Sequence, residues 1–150
     1  GYAAGTAAIL TRKRPKVARP VRYGVHFFVV DAAGQVLLRR RPDTGLLASM
    51  TEIPGTAWQA TPWPEAEALA TAPARAQWHG AGTVRHVFTH FSLEITVLAA
   101  RVVRFANTEV SQGFLLPMAR LEGAALPSVM RKCVAMGMQG LSEHEAALSG

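Results

Sequence analysis

The stretch from Val21 to Arg41, VRYGVHFFVVDAAGQVLLRRR, decides the fold of this chain. Its first ten residues are rich in β-branched and aromatic side chains, which favour a β-strand. A second apolar run, QVLLRRR, follows after Ala32-Ala33-Gly34, and a glycine at that place can adopt the positive φ that a tight turn requires. The pattern therefore predicts a β-hairpin with a three-residue loop.

Further strands and two helices are predicted downstream. The segment GTVRHVFTHFSLEITVLAARVV (82–103) contains two strand-like runs that break around Thr89–Ser92. A short helix is predicted to begin at Pro64, in PEAEALATA, and a longer one at Pro127, in PSVMRKCVAMG, with Gly137 placed to end it. The last dozen residues are expected to fray. Strands mixed with two helices indicate a compact single domain of the α/β (α+β) class.

Basic residues are concentrated at the start of the chain. The 150 residues carry a formal net charge of +6, and residues 1–41 hold nine Lys/Arg and one acidic residue, against seven and nine in the remainder. A basic N-terminal third beside a near-neutral body is the electrostatic footprint of a protein that binds a polyanion. A solvated basic tail would give the same composition, so both interpretations stay open on charge alone.

The composition excludes several classes of protein. One cysteine cannot form an internal disulfide framework or a Cys-rich metal site. No apolar stretch approaches the roughly 18 residues of a membrane span, and the first residues lack the charge order of a secretory signal. The composition therefore fits a soluble protein of a reducing compartment. We expect a cytoplasmic monomer without a membrane partner.

Three segments are distinguished along the chain. Residues 1–20 are interpreted as a basic interdomain connector, because Pro15 and Pro20 favour extended backbone and forbid a continuing helix. Residues 21–140 are predicted to form the folded domain, and residues 141–150 a flexible tail.

The residues by themselves predict no catalytic and no metal-binding site. A hydrolytic Mg²⁺ site needs clustered carboxylates, whereas the ten acids are dispersed, and Glu65 and Glu67 point in different directions on a helix. His86 and His90 lie in a strand-like context, where four residues span roughly 13 Å, too far to share a metal. Cys133 falls on the apolar face of the predicted helix and is expected to be an inert core residue.

A binding role is the remaining interpretation. Phe88, Thr89 and His90, at the break between two predicted strands, combine an aromatic face, a hydroxyl and an imidazole. Those groups can stack on a nucleobase and read its edge. The alternative is that Phe88 belongs to the core and that the two polar residues only satisfy a turn.

Three segments of the chain resemble a known protein family. RPDTGLLASMTEIPGTAW (41–58), VRHVFTHFSLEITV (84–97) and LPSVMRKCVAMG (126–137) resemble the C-terminal domain of MutY, the adenine DNA glycosylase. The stretch AAGTAAILTRKRPKVARPVRYGV (3–25) is similar to the connector that leaves that enzyme's iron–sulfur cluster loop. The resemblance covers most of the chain in the family's order. It implies a MutT-like (Nudix-like) fold, with a mixed sheet flanked by helices, and a bacterial, nucleoid-associated location.

The resemblance also implies a function in base excision repair. In that family the domain binds DNA and helps to recognise 8-oxoguanine mispaired with adenine. The glycosylase chemistry and a 4Fe-4S cluster belong to a separate N-terminal catalytic domain, of which this chain carries no counterpart. The implied partners are therefore that catalytic domain and double-stranded DNA containing 8-oxoguanine:A. The chain itself is expected to be a non-catalytic fragment that needs no metal or cofactor.

Specific residues carry these expectations. The family's Phe-Ser-His loop corresponds here to Phe88, Thr89 and His90, with threonine in place of serine, and the resemblance implies that this loop approaches the oxidised base. Contacts with the DNA backbone are expected from basic residues, namely Arg12, Lys13, Arg14, Lys16, Arg19, Arg22 and Arg85.

Two other functions are kept as alternatives. A Nudix hydrolase requires the motif G-x5-E-x7-R-E-(apolar)-x-E-E-x-G, whose glutamates hold metal ions. The sequence EIPGT (52–56) aligns with the lead-in to this motif, yet the residue six beyond Gly55 is Thr61 and no R-E-(apolar)-x-E-E follows. The first alternative is nonetheless an 8-oxo-dGTP or nucleotide pyrophosphohydrolase. The second is a docking platform for other repair or replication proteins.

Overall fold

A computed structural model describes residues 19–149 of the chain. Most of the predicted connector therefore lies outside the described residues, as do four of the predicted DNA-backbone residues, Arg12, Lys13, Arg14 and Lys16.

The predicted hairpin is confirmed. Strand β1 spans Val21–Val30, strand β2 spans Gln35–Arg40, and the two pair antiparallel. Asp31 organises the turn, because its Oδ1 accepts hydrogen bonds from the backbone N–H groups of Ala33 (3.0 Å) and Gln35 (2.8 Å). Gly34 adopts φ of 80°, the left-handed conformation for which a glycine was expected.

The sheet is mixed, as predicted. Four further strands complete it: β3 (Thr51–Glu52), β4 (His79–Val87), β5 (Ser92–Arg101) and β6 (Phe114–Pro117). The strand order is β3-β2-β1-β5-β4, with β6 paired to β2. Strands β1 and β5 are parallel along their whole length, whereas β4 and β5 are antiparallel. This arrangement places the start of β1, the end of β4 and the start of β5 at one end of the sheet.

Helices lie on both faces of the sheet. Helix α1 (Glu65–Leu69) follows Pro64 as predicted, and α2 (Asn107–Val110) and a 3₁₀ helix (Met118–Gly123) lie between β5 and the last helix. Helix α3 (Ser128–Ser149) packs across β4, β5 and β1, and we call the sheet face beneath it the α3 face. Among the described residues, no helix is long and apolar enough to cross a membrane.

Helix α3 is longer than the sequence suggested. The prediction that it ends at Gly137 is wrong, since the helix continues to Ser149. Gly137 lies against the Phe28 ring, where a Cβ would come within 2.5 Å of that side chain. This glycine permits close packing and does not end the helix. The segment expected to be a flexible tail is helical from residue 141 to 149, since Leu141 is buried and Glu145 pairs with Arg101 at the end of β5.

Candidate nucleic-acid interface

The turn between β4 and β5 presents the predicted loop at its tip. The backbone N–H of Phe88 donates to the carbonyl of Phe91 (2.8 Å), which closes a hairpin whose two tip residues are Thr89 and His90. Both tip residues are exposed, whereas Phe88 is half-buried. The sequence prediction of a polar turn at this position is therefore confirmed, and its role in binding stays a prediction.

An aromatic cluster supports this turn from below. The Phe88 ring stacks on Phe91, with centroids 4.8 Å apart and planes inclined by 19°. His86 meets Phe88 edge to face, also at 4.8 Å, and both phenyl rings pack against the core on the α3 face. Phe91 covers one face of the Phe88 ring. Phe88 therefore supports the turn, and it offers less surface for stacking on a base than the sequence suggested.

Two of the predicted backbone-binding arginines lie near the turn. Arg19 donates from its Nε to the backbone carbonyl of Thr89 (3.2 Å), and the carbonyl of Pro20 accepts from the N–H of Ser92 (2.9 Å). Arg22 is exposed at the start of β1, in register with Leu93 of β5. The chain leading into β1 is thus fixed beside the turn, together with its positive charge.

Arg85 lies on the opposite face of the sheet from the aromatic cluster. Successive side chains of a strand point to opposite faces, so Arg85 is directed away from the face that carries His86. It pairs with Glu94 across the strands at 3.2 Å, and its side chain is 78% exposed. An exposed pair of this kind contributes little to stability, about 0–1 kcal/mol, so the guanidinium is available to other partners on that face.

A third cation beside the turn was not predicted from the sequence. Lys132, the fifth residue of α3, places its Nζ 3.2 Å from Nδ1 of His86. An ammonium can only donate, so Nδ1 accepts and the ring proton lies on Nε2. Burial lowers the pKa of His86 and the charge of Lys132 lowers it further, and both effects favour the neutral imidazole. A contact across 46 residues has no local signal in the sequence.

A buried ion pair fixes the segment that runs alongside β1. The Glu52 carboxylate is 1% exposed and accepts from Arg39 Nε (2.7 Å) and from Arg41 Nη1 (2.9 Å). Arg39 also donates to the carbonyl of Gly55 (2.7 Å). Both carboxylate oxygens are thus engaged by guanidinium groups, which makes Glu52 a structural residue that the sequence analysis did not single out.

The network continues through two aromatic rings. The Arg41 guanidinium lies 4.2 Å from the centre of the Trp58 ring, and the indole N–H donates to Nε2 of His26 (3.2 Å). The His26 Nδ1–H in turn donates to the carbonyl of Ile53 (2.8 Å), which fixes the tautomer. Burial is the main cause that lowers the pKa of His26, so this fully buried ring is neutral.

The acidic residues near α1 do not form a site. Glu65 and Glu67 are both exposed on a helix of five residues. Within residues 19–149, no group of three or more His, Cys, Asp or Glu side chains comes close enough to hold a metal ion. His86 is engaged by Lys132 on the α3 face, while His90 lies at the tip of the turn.

Comparisons with known proteins identify the fold. A family model of the NUDIX domain matches residues 25–136. The comparison with curated proteins returned no match.

Solved structures with the same fold include proteins of different functions. The C-terminal domain of mouse MUTYH, in complex with human PCNA, has a TM-score of 0.60 and 24% identity, over 83% of this chain and 90% of that one. A MutT protein from Methanosarcina mazei has a TM-score of 0.57 and 15% identity, over 86% and 99%. NrtR from Shewanella oneidensis, in complex with a 27mer DNA, has a TM-score of 0.57 and 13% identity, over 83% and 63%. At these identities the likeness shows the fold alone.

Proposed function

Because this chain belongs to the NUDIX domain family, we propose that it uses the NUDIX fold to bind duplex DNA and to recognise 8-oxoguanine opposite adenine, as the lesion-reading domain of an adenine DNA glycosylase. The observation that carries the proposal is the β4–β5 turn, which exposes Thr89 and His90 beside Arg19 on a braced aromatic base. In this proposal the glycosidic bond is cut by a separate catalytic domain.

The hydroxyl of Thr89 supplies the chemistry of discrimination. Guanine N7 is a hydrogen-bond acceptor, whereas oxidation at C8 places a proton on N7 and a carbonyl at C8. A hydroxyl oriented to accept at this position pairs with 8-oxoguanine and leaves guanine unpaired. The difference in free energy between forming this hydrogen bond and leaving the polar groups unpaired is about 1–3 kcal/mol. This corresponds to roughly tenfold to a hundredfold discrimination between the two bases.

Nearby cations supply affinity that does not depend on sequence. Arg19 and Arg22 lie at the same end of the sheet as the turn. Lys/Arg side chains gain affinity for DNA mainly by releasing counterions from phosphates, so their contribution falls steeply with salt. The remaining N–H groups of Arg19 are available for a phosphate while its Nε holds the Thr89 carbonyl.

Nucleotide hydrolysis is the second candidate, since some solved proteins with this fold are NUDIX hydrolases. Such an enzyme holds divalent metal ions through glutamates, and the described residues do not provide a set of glutamates that could bind such an ion. The position expected for the first glutamate holds Thr61, and the helix that follows carries only the exposed Glu65 and Glu67. Glu52 is engaged by two arginines.

The test compares two duplexes that differ only in 8-oxoguanine:A or G:A. We expect the 150-residue chain to bind the lesion duplex about tenfold more tightly in fluorescence anisotropy. Thr89→Val keeps the shape and removes the hydroxyl, so the preference should disappear, whereas Thr89→Ser should retain it. Equal binding of both duplexes by the unsubstituted chain would overturn lesion reading. Mg²⁺-dependent hydrolysis of 8-oxo-dGTP by the same preparation would favour the hydrolase.

A further inference from the structure

We propose that Lys132 and His86 form a phosphate-binding site beside the β4–β5 turn, and that the site takes a backbone phosphate of the DNA strand whose base meets the turn. This inference rests on the proposed function and adds a contact with the phosphate backbone of the bound DNA strand. The two residues come from α3 and β4, so only the folded chain brings them together.

The position of the pair suits a base held at the turn. His86 contacts Phe88 edge to face at 4.8 Å, and Phe88 is the residue that precedes the exposed tip. Lys132 contacts this imidazole from the exposed surface of α3. Arg19 reaches the same turn from the start of β1 and contacts the carbonyl of Thr89. Cations from two separate elements therefore lie near the tip, where a DNA strand that contacts the turn would meet them.

The chemistry of the pair favours an anion. Lys132 uses one N–H on a neutral acceptor, Nδ1 of His86, and has two further donors. Among the described residues, no carboxylate lies within ion-pair distance of its ammonium group. His86 carries its proton on Nε2, on the side of the ring away from Lys132, and its Nδ1 positions the ammonium group. A phosphate oxygen would accept from the remaining N–H donors of Lys132, and such a charge-assisted bond is stronger than the present bond to imidazole.

A matched pair of variants tests the site. Lys132→Gln removes one positive charge at the turn, and Arg104→Gln removes one beyond the far end of β5, roughly 33 Å along that strand. We expect Lys132→Gln to weaken binding of both duplexes about tenfold and to reduce the slope of log K against log[salt] by about 0.9. Arg104→Gln should leave the slope unchanged. The preference for the lesion should stay intact in both variants, because phosphate contacts carry no base information.

The outcomes separate this site from the proposed function. If the unsubstituted chain prefers the lesion but Lys132→Gln and Arg104→Gln have the same salt slope, the phosphate site is wrong and lesion reading stands. If Lys132→Gln lowers the slope while the chain binds both duplexes equally, the phosphate site stands and lesion reading is wrong. Absence of any duplex binding overturns both.

Nuclear magnetic resonance distinguishes the source of the phosphate. The ¹⁵N shifts of His86 should show the Nε2–H tautomer in the free chain and should change on addition of duplex. The change should be lost in Lys132→Gln and retained in Arg104→Gln. A shift on addition of 8-oxo-dGMP without a shift on addition of duplex would assign the site to a free nucleotide and overturn its assignment to DNA.

Discussion

Replacing Glu52 by glutamine tests the buried ion pair that holds the segment after β3. Glutamine has the same shape, but one oxygen becomes an NH₂ group that faces a guanidinium. Either Arg39 or Arg41 then loses its acceptor, and both lose the opposing charge. Since Arg41 also packs on Trp58, the loss extends into the aromatic network above His26.

The expected cost follows from the exposure of the three groups. Hydrogen bonds to charged groups contribute about 1.5–3 kcal/mol each, and breaking a fully buried ion pair costs about 3–5 kcal/mol. Glu52 is 1% exposed, but Arg39 and Arg41 are 38% and 18% exposed, so water can solvate part of the charge that is left behind. We therefore expect a loss of about 3 kcal/mol in the free energy of unfolding, a large part of the 5–15 kcal/mol that is typical of a domain.

Urea unfolding followed by tryptophan fluorescence measures this loss directly. The matched control is Glu65→Gln, which removes the same charge from an exposed position on α1 and should change the free energy of unfolding by less than about 0.5 kcal/mol. A decrease of less than about 1 kcal/mol for Glu52→Gln, with an unchanged m-value, would contradict the reasoning. It would mean that water replaces the ion pair at little cost.

Three further predictions concern the core. Burial lowers the pKa of His26, so the unfolded chain binds more protons than the folded chain below pH 6.5. As the pH falls below 6.5, the free energy of unfolding should therefore decrease by up to about 1.4 kcal/mol per pH unit. In urea titrations at several pH values, His26→Gln should reduce this dependence. Gly137→Ala should destabilise by about 1–2 kcal/mol, because overpacking against Phe28 exceeds the gain in helix propensity, whereas Gly123→Ala, with open space around it, should change the melting temperature little. Burial raises the pKa of Cys133 to about 12, so little reactive thiolate is present in the folded chain at pH 8. Alkylation by iodoacetamide should therefore be slow and should accelerate with added urea as the chain unfolds.

The sequence predicted those parts of the fold that depend on neighbouring residues. The β1–β2 hairpin follows from two strand-forming runs and a glycine, and the break at Thr89 follows from polar residues between two apolar runs. The end of α3 was predicted wrongly because a glycine in a helix-forming segment can serve either of two structural purposes. A glycine that ends a helix and a glycine that admits a neighbouring ring look the same in one sequence, and only the position of Phe28 distinguishes them.

The candidate site was predictable only where it depends on neighbouring residues. The turn itself is local, so its exposed tip could be predicted. The Lys132–His86 pair joins residues 46 apart, and the Glu52 pairs join residues 13 and 11 apart across strand ends. Such contacts depend on how α3 crosses the sheet and on strand register, neither of which a residue pattern specifies. The three adjacent arginines at 39–41 were visible, but the use of two of them on one buried carboxylate was not.

The proposed discrimination between 8-oxoguanine and guanine depends on how firmly one hydroxyl is held. A hydroxyl that rotates freely pairs with either base, because it can donate or accept. In this chain the Thr89 carbonyl is held by Arg19, and the residue before it is packed between Phe91 and His86, so the backbone of the tip is braced on both sides. Threonine is β-branched and has fewer accessible χ1 rotamers than serine. The methyl group by which Thr89 departs from the Phe-Ser-His loop that it resembles therefore favours one position of Oγ, and a comparison of Thr89→Ser with the unsubstituted chain should show equal or weaker preference for the lesion in the serine variant.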